Sequence, residues 1–388
     1  MVLNTPQQGS NAERSRHRNR RAVLGQIHNA GQMGRAEIAR VLSLSTQAVS
    51  NIIAELEGDG LLIEKGRLSA GRGLPAVQYS VNPTGGYALG IEVRADAVLA
   101  VLVDLRGTVL TTVRRKLTDT RPDAVLKKVV KMRDAALDEA PEARNRLLGA
   151  GVVMPGPVGA TGIAGLGTDL TDWQEVDARA LFTDALGLAT EVSNDANAAA
   201  MAEQITGVAQ GLSTYAYLYF GTGLGLGYVS GGQLVAGAFG NAGEIGHIPI
   251  AEDGQTLENA ISRLSVQRYL RKRGKSVEDV AALAKLFDAD DRDLMVWLQD
   301  ACIALGRAVA IVENLLDPRT IILGGAMPNT ILDYLVAHTP LPSVSVANRP
   351  TRDNPRLMRG AYGRLTATLG AAALVLNKTL SPQFATAI

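Results

Sequence analysis

Apolar residues recur at helical spacing in three segments near the start of the chain. The segments cover residues 20–30, 35–45 and 46–62. Their apolar stripes consist of Val23, Leu24 and Ile27, of Ile38, Ala39 and Leu42, and of Val49, Ile52, Ile53 and Leu56. Such a stripe buries one face of a helix, and Ser45 is a residue type that caps the start of a helix. A helix, a short helix, a turn and a longer helix in this order predict a helix-turn-helix.

Two apolar segments at residues 61–63 and 77–79 predict the paired strands of a wing, with a small, basic loop between them. In a winged helix-turn-helix the third helix enters the major groove of DNA with its N-terminus first. The side chains expected to contact DNA are Thr46, Gln47, Ser50 and Asn51 at base edges, Lys65 and Arg67 at phosphates, and Arg72 in a narrow minor groove. A small helical bundle that mediates dimerisation is the alternative interpretation.

From residue 86 onwards, strand patterns alternate with amphipathic helices, which is typical of α/β architecture. Residues 90–107 predict a hairpin whose turn, Arg94-Ala95-Asp96, contains no glycine although the chain has 41. A second set of hairpin strands lies in residues 214–250, after a further helical segment. This repetition predicts two similar lobes around a cleft.

The charge of the chain is distributed unevenly. The 388 residues carry a formal net charge of +1, yet the first 82 contain ten Arg and Lys against six Asp and Glu. A basic head on a mildly acidic body indicates that nucleic acid binds at one end. The N-terminal residues lack the apolar core of a secretory signal. The sequence contains no run of about 18 apolar residues, so no membrane span is expected. Together with a single cysteine, Cys302, this predicts a cytoplasmic protein without an internal disulfide.

Five short motifs follow one another in the α/β part of the chain. They are Pro155-Gly156-Pro157, Asn194-Asp195-Ala196-Asn197-Ala198, Gly221-Thr222-Gly223-Leu224-Gly225, Glu244-Ile245-Gly246-His247 and Leu323-Gly324-Gly325. With these motifs the chain resembles the ROK family of repressors and sugar kinases, over essentially all of residues 86–388. The resemblance implies an α/β protein in which a winged helix-turn-helix (14–82) follows a disordered tail (1–13) and precedes a two-lobed, actin-like domain (86–388). The cleft of this domain is expected near residues 194–258.

The resemblance also implies a set of sugar-binding side chains, namely Asn194, Asp195, Glu244, His247 and Glu258. Asp195 matches the general base of the family's kinases, and Asn194 matches a neighbouring sugar ligand. Carboxylates and an amide suit a polyol because they can accept from, or donate to, adjacent hydroxyl groups. The alternative is structural, because Ser193, Asn194 or Asp195 could cap a helix and Glu258 could be an exposed glutamate in the first turn of another.

At two places the chain lacks residues with which the family binds zinc or ATP. ROK proteins commonly follow the His of the E-x-G-H motif with three cysteines that complete a zinc site, but residues 248–258 contain no cysteine. A lone His247 cannot form a Cys₃His site, so no zinc or other metal is expected. ROK kinases carry D-x-G-G-T in the first hairpin, where the glycines let backbone amides approach the phosphates of ATP. This chain has Glu92-Val93-Arg94-Ala95-Asp96 there, so ATP is not expected, although Arg94 could meet an anion at a different place.

The sequence therefore predicts a sugar-responsive, DNA-binding transcriptional regulator rather than an enzyme, with Asp195 as a vestigial base. A repressor of carbohydrate-use genes is the behaviour that the resemblance favours. The expected partners are palindromic double-stranded DNA, a sugar or sugar-derivative effector and a second copy of the chain, in a dimer or tetramer, and no membrane. Two alternatives remain open. One is an active ATP-dependent sugar kinase with a regulatory DNA-binding head, and the other is a sensor of a protein partner from a sugar-uptake system.

Overall fold

The structure is a computed structural model and describes residues 11–68, 76–156, 170–173, 176–250 and 254–381. The N-terminal elements are α1 (Asn11–Ala30), β1 (Met33–Gly34), α2 (Arg35–Leu42), α3 (Thr46–Gly58), β2 (Leu62–Leu68) and β3 (Ala76–Val81). The three strands form an antiparallel sheet in the order β1-β3-β2. The winged helix-turn-helix predicted from the sequence is therefore present.

Two serines define the turn between α2 and α3. Ser43 ends α2 in the left-handed backbone region with φ 53°, which turns the chain away from the helix axis. The Ser45 hydroxyl oxygen then accepts a hydrogen bond from the backbone N–H of Ala48 at 3.1 Å and caps α3. A cap of this kind satisfies one of the N–H groups that a helix start leaves unpaired. The cap thereby fixes where the predicted recognition helix begins.

The predicted disordered tail is too long at its C-terminal end. Helix α1 begins at Asn11, so residues 11–13 are helical, and residues 1–10 lie outside the described part of the chain. The first turns of α1 carry arginines that reach α3, since Arg16 pairs with Glu55 at 2.6 Å and Arg20 pairs with Glu55 at 3.8 Å. These cross-helix ion pairs support a longer helix than its apolar stripe alone predicts.

The first lobe of the body is a five-stranded sheet in the order β6-β5-β4-β7-β8. Its elements are β4 (Tyr87–Val93), β5 (Ala97–Asp104), β6 (Val109–Lys116), α4 (Pro122–Glu139), β7 (Leu147–Val153), α5 (Ala178–Leu186) and β8 (Thr190–Ser193). Strands β4, β5 and β6 are antiparallel, whereas β7 and β8 run parallel to β4. Strands β4 and β5 are buried along their whole length, because helices or strands cover both faces of the sheet.

The second lobe repeats this plan after the interlobe helix α6 (Asp195–Thr206). Its sheet has the order β11-β10-β9-β12-β13, again with an antiparallel hairpin first and parallel strands after it. The elements are β9 (Tyr215–Phe220), β10 (Leu224–Ser230), β11 (Gln233–Leu234), α7 (Leu257–Ile261), α8 (Arg263–Arg271), α9 (Val280–Asp288), α10 (Arg292–Leu316), β12 (Ile321–Gly325), α11 (Asn329–His338), β13 (Leu357–Arg359) and α12 (Thr366–Leu380). The two similar lobes predicted from the sequence are present.

Helices α6 and α12 pack against each other between the two sheets. Glycines allow this close approach. A Cβ on Gly370 would overlap the backbone of Ala198 in α6, and a Cβ on Gly151 of β7 would overlap the backbone of Ala371 in α12. These small residues let α12 pack directly against α6 and β7.

The N-terminal head rests on the body through α1. This helix packs against α12, and His28 Nε2 lies 2.9 Å from the carbonyl oxygen of Ile205 near the end of α6. Burial is the main reason that the pKa of His28 lies below its ordinary value. Helix α6 therefore borders the cleft with its first residues and contacts the head near its last residues.

One helix among the described residues, α10, is long and apolar enough to cross a membrane by length and composition alone. Of its most apolar stretch, 56% is buried inside the protein, as in helices that form protein cores.

Candidate functional site

A cavity of about 590 Å³ lies between the two lobes. Its walls come from the β4–β5 turn, the end of β7, the start of α6, the β9–β10 turn, residues 243–247 and α7. The structure brings all five predicted ligand-binding residues to these walls: Asn194, Asp195, Glu244, His247 and Glu258. Their role in binding stays a prediction. The structure shows that all five line one cavity.

The start of α6 carries the amide and the carboxylate of the set. Asn194 caps α6, because its Oδ1 accepts a hydrogen bond from the backbone N–H of Asn197 at 2.8 Å. This bond leaves the NH₂ group of the amide for a ligand hydroxyl. Asp195 Oδ1 accepts from the backbone N–H of Ala196 at 2.9 Å, which fixes the carboxyl group at the cavity wall. The capping and the ligand-binding interpretations are therefore compatible.

Burial raises the pKa of Asp195 to about 7, and the negative charge of Glu92 contributes in the same direction. Backbone N–H groups at the start of α6 oppose this shift without cancelling it. A carboxyl group with such a pKa exchanges a proton near neutral pH. It can donate to or accept from a hydroxyl group of a bound polyol.

The other three residues come from the second lobe. Glu244 Oε2 lies 3.5 Å from His247 Nε2, and Glu258 Oε2 accepts a hydrogen bond from the backbone N–H of Leu224 at 3.1 Å. Burial raises the pKa of Glu244, while His247 lowers it and Glu258 raises it further. This side therefore presents acceptors whose positions are held by neighbouring groups.

The glycine-rich β9–β10 turn makes room for two of these carboxylates. A Cβ on Gly221 would lie 3.2 Å from Asp195 Oδ2, and a Cβ on Gly223 would overlap the carboxyl group of Glu258. The turn therefore shapes the cavity wall beside Asp195 and Glu258.

The turn without glycine, residues 94–96, also lies on the cavity wall. Arg94 Nε donates to Glu92 Oε1 at 2.6 Å, and Thr368 Oγ1 donates to Glu92 Oε2 at 2.5 Å. A second nitrogen of Arg94 donates to the carbonyl oxygen of Arg364 at 3.2 Å. The buried Glu92 is thereby held by one partner from the adjacent turn and one from α12.

The sequence did not indicate several further cavity residues, among them Tyr219, Arg263 and Arg364. Tyr219 is a buried residue of β9, Arg263 is the first residue of α8, and Arg364 lies just before α12. None of them belongs to a recognisable motif. Only the folded chain brings them together.

The predicted DNA-contacting residues lie on the outer surface of the head. Thr46, Gln47 and Asn51 are exposed on α3, Ser50 is half-buried, and Gln47 Nε2 donates to Asn51 Oδ1 at 3.0 Å. Lys65 and Arg67 are exposed on β2, where the strand register shifts between Glu64 and Arg67. Arg72 lies outside the described residues. The described members thus occupy the recognition helix and the wing.

The described residues contain no group of three or more His, Cys, Asp or Glu side chains that could hold a metal ion. Cys302 is buried in α10. The absence of zinc stays a prediction.

Comparison with known sequences extends the resemblance across the chain. The profile of the ROK family matches residues 88–378. A xylose repressor from Bacillus spizizenii is 24% identical over 375 residues, which cover 93% of this chain and 96% of that protein. A transcriptional regulator from Mycobacterium tuberculosis is 29% identical over 327 residues, covering 78% of this chain and 73% of that protein.

Comparison with solved structures supports the same fold. A ROK family transcriptional regulator, a homologue of the E. coli MLC protein, aligns with a TM-score of 0.69 and 24% identity over 95% of this chain and 98% of that one. A ROK family glucokinase from Streptomyces griseus, solved with glucose and AMPPNP, aligns with a TM-score of 0.57 and 23% identity over 74% of this chain and 99% of that one. The chain belongs to the ROK family.

Proposed function

We propose that the protein is a DNA-binding transcriptional repressor whose ROK domain binds a sugar in the interlobe cavity without transferring phosphate to it. The observation that carries the proposal is the connection of two features in one fold. An exposed polar recognition helix stands on a body whose cavity collects an amide, an imidazole and three carboxylates. Polar side chains of this kind, placed in a concave site, orient a polyhydroxylated ligand.

The DNA-binding part of the proposal rests on α3 and the wing. Gln47 and Asn51 expose amides of the type that pairs with adenine edges, and Lys65 and Arg67 supply positive charge for phosphates. We propose a palindromic operator read by a homodimer, because two recognition helices related by a two-fold axis match two half-sites. The repressors among the relatives support this assignment.

The ligand part rests on the cavity and on the names of the relatives. Several relatives are xylose repressors, so a pentose is the first sugar to test. Asn194 and Asp195 offer a donor and an acceptor to neighbouring hydroxyls, and Glu244 and Glu258 line the same cavity.

The loss of phosphotransfer rests on residues 92–96. Where the family's kinases bring glycine amides to ATP, this chain places a buried Glu92 whose carboxylate is held by Arg94 and Thr368. A second candidate function, a sugar kinase, has one observation in its favour. Asp195 has a pKa of about 7 and lies in the cavity, as a general base for a sugar hydroxyl would. Phosphate transfer from Mg-ATP to a sugar by the purified protein would favour the kinase.

Helix α6 offers the route from the cavity to the head. Asn194 and Asp195 stand at its start, and near its end the carbonyl oxygen of Ile205 contacts His28 of α1. A ligand that favours the closed arrangement of the lobes would shift α6, and the shift would reach α1 directly. In a dimer this movement would change the relative placement of the two recognition helices.

Fluorescence anisotropy with DNA from the region upstream of the protein's own gene tests the proposal. We expect D-xylose or a related sugar to change the affinity of the wild type for this DNA. Asp195→Ala should retain DNA binding and lose the sugar response, whereas Asn51→Ala should lose specific DNA binding and retain a sugar-induced thermal shift. An affinity for DNA no higher than that for unrelated DNA, in every ligand condition, would contradict the proposal.

A further inference from the structure

A second cavity, of about 190 Å³, lies where the head meets the body. Helix α1 and the end of α2 form its head side, and the body contributes the end of α6, residues 211–213, the β10–β11 turn and the end of α12. Helix α1 touches the body beside this space, because a Cβ on Gly25 would overlap the carbonyl oxygen of Leu380. The space is called the junction cavity below, and its walls come from both parts of the chain.

The polar side chains of the junction cavity are uncharged. Residues with amide or hydroxyl groups line it, namely Gln26, Asn29, Gln204, Gln233, Ser213 and Ser381. Among the described residues on its walls there is no Asp, Glu, Lys or Arg. A charged ligand would find no counterion there, and the burial of an unpaired charge is costly. The lining therefore favours a neutral ligand.

Gln204 has one hydrogen-bonding atom that the protein does not satisfy. Its Nε2 donates to the carbonyl oxygen of Gly232 at 3.2 Å. Its Oε1 is buried and has no hydrogen-bond partner within the described part of the chain. Buried polar atoms usually have a partner, so an orphan on a residue of the cavity wall points to a missing one. An amide oxygen only accepts, and the missing partner must therefore donate an O–H or N–H.

His28 supplies a second acceptor from the same walls. Its Nε2 lies 2.9 Å from the carbonyl oxygen of Ile205, which can only accept, so Nε2 carries a proton. Burial is the main reason that the pKa of His28 lies below its ordinary value, and the ring is therefore neutral near neutral pH. In this form Nδ1 accepts hydrogen bonds. A ligand with hydroxyl groups fits these walls, because a hydroxyl group can donate to such acceptors and accept from the amide NH₂ groups.

The volume of the junction cavity limits the size of its ligand. An engineered cavity of about 150 Å³ in another protein binds benzene, so a space of about 190 Å³ admits a molecule of about six to ten heavy atoms. Neutral compounds of this size with several hydroxyl groups include short polyols such as glycerol, erythritol and xylitol.

We infer that the junction cavity binds a small neutral polyol, and that the bound polyol holds the head against the body. The inference goes beyond the proposed function, because the junction cavity and the interlobe cavity have no lining residue in common. A ligand that needs walls from both head and body binds only when the two are docked, and it stabilises that arrangement by mass action. Since Gln204 and Asn194 stand near opposite ends of α6, the junction cavity would regulate the same helix from its other end.

The first experiment measures polyol binding to the full-length protein without DNA. Dissociation constants for glycerol, erythritol and xylitol are determined by ligand-observed NMR for the wild type, Gln204→Met, Ala22→Leu and Gln299→Met. The first variant removes the orphan acceptor, and the second places a larger side chain on the α1 wall. Gln299 is exposed on α10 and does not line the junction cavity, so its variant controls for the loss of one amide.

We expect saturable binding of at least one polyol to the wild type and to Gln299→Met, and an affinity at least tenfold lower in Gln204→Met and Ala22→Leu. The series is repeated with Asp195→Ala in each protein, which removes a side chain of the interlobe cavity and should leave these differences unchanged. Equal affinities in all four proteins would overturn the inference, as would polyol signals that never saturate. Ala22→Leu removes no polar group, so it gives a result even if Gln204→Met lowers the stability of the fold.

The second experiment locates the polyol by hydrogen exchange, with the tightest binder of the first series added to the wild type. Amide exchange should slow at least threefold in residues 22–29 of α1 and at the end of α12, while the exposed start of α4 should not change. Slower exchange confined to residues 194–196 and 243–247 would place the polyol in the interlobe cavity and overturn the inference. Unchanged exchange in α1 would refute the claim that the polyol holds the head.

Neither experiment involves DNA. A failure of the protein to bind specific DNA, or to respond to a sugar in the interlobe cavity, therefore contradicts the proposed function alone. The absence of saturable polyol binding contradicts the junction site alone.

Discussion

Replacing Asp195 by asparagine removes a carboxyl group that the fold holds in an unfavourable environment. The pKa of this group rises from an ordinary value of 3.8 to about 7 in the folded protein. Burial is the main cause, followed by the charge of Glu92. An asparagine keeps the shape of the side chain and an oxygen that can accept from the N–H of Ala196, so the start of α6 should retain its geometry.

The pH dependence of this substitution follows from where each state releases its proton. The unfolded chain loses the proton near pH 3.8 and the folded protein near pH 7, so raising the pH between these values favours unfolding of the wild type. The free energy involved is about 1.4 kcal/mol per pH unit, which gives about 4 kcal/mol over the whole interval. The amide introduced by Asp195→Asn does not titrate, and the variant should gain about 3 kcal/mol relative to the wild type from pH 5 to pH 8.

Thermal denaturation at several pH values between 5 and 8 measures this gain. For a domain of this size, about 3 kcal/mol corresponds to a difference in Tm of roughly 5 °C. Asp184→Asn is the matched control, because Asp184 is exposed on α5 and far from the cavity walls. A Tm difference between Asp195→Asn and the wild type that stays constant over this pH range would refute the raised pKa and the environment from which it follows.

Three further predictions concern the head, the core and their connection. Arg67→Gln should weaken binding to all DNA sequences alike and reduce the slope of log K against log salt by about 1, measured by salt titration. Arg356→Ala leaves the fully buried Glu313 carboxylate without its bidentate partner at 2.6 and 2.8 Å, and should lower the free energy of unfolding by about 3–5 kcal/mol in denaturant titrations. His28→Ala removes the contact with Ile205 and should reduce the effect of sugar on DNA affinity several-fold in anisotropy assays, with partial recovery in His28→Gln. An unchanged salt slope would contradict the prediction for Arg67. An unchanged free energy of unfolding would contradict the one for Arg356, and an unchanged sugar response the one for His28.

The sequence by itself indicated the helices and wing strands of the head and the first hairpin of each lobe. Local spacing decides which face of a helix or strand is buried, and the stripe from Val49 to Leu56 is buried in α3 as its period requires. The same holds for the hairpin of β4 and β5, whose turn falls at residues 94–96. The motifs that resemble the ROK family also contain four of the five cavity residues, Asn194, Asp195, Glu244 and His247, whereas Glu258 lies outside them.

Local spacing did not reveal how far α1 extends towards the N-terminus. Its first turns lack an apolar stripe, and their support comes from ion pairs with Glu55 of α3 and with Asp59 just after it, each 39 positions from its partner. Nor did it reveal the function of the β9–β10 glycines, because the need for space at Gly221 arises only when Asp195 of α6 approaches it.

Only the tertiary structure decided what surrounds the turn at residues 94–96. The bond from Arg94 to the carbonyl oxygen of Arg364 joins positions 270 residues apart, and Thr368 reaches Glu92 across 276 residues. No periodicity or motif encodes such contacts, because they depend on how α12 packs between the two sheets. The turn without glycine could be read from the sequence as the loss of one phosphate site, whereas the arginines that gather beside it exist as a group only in the folded protein.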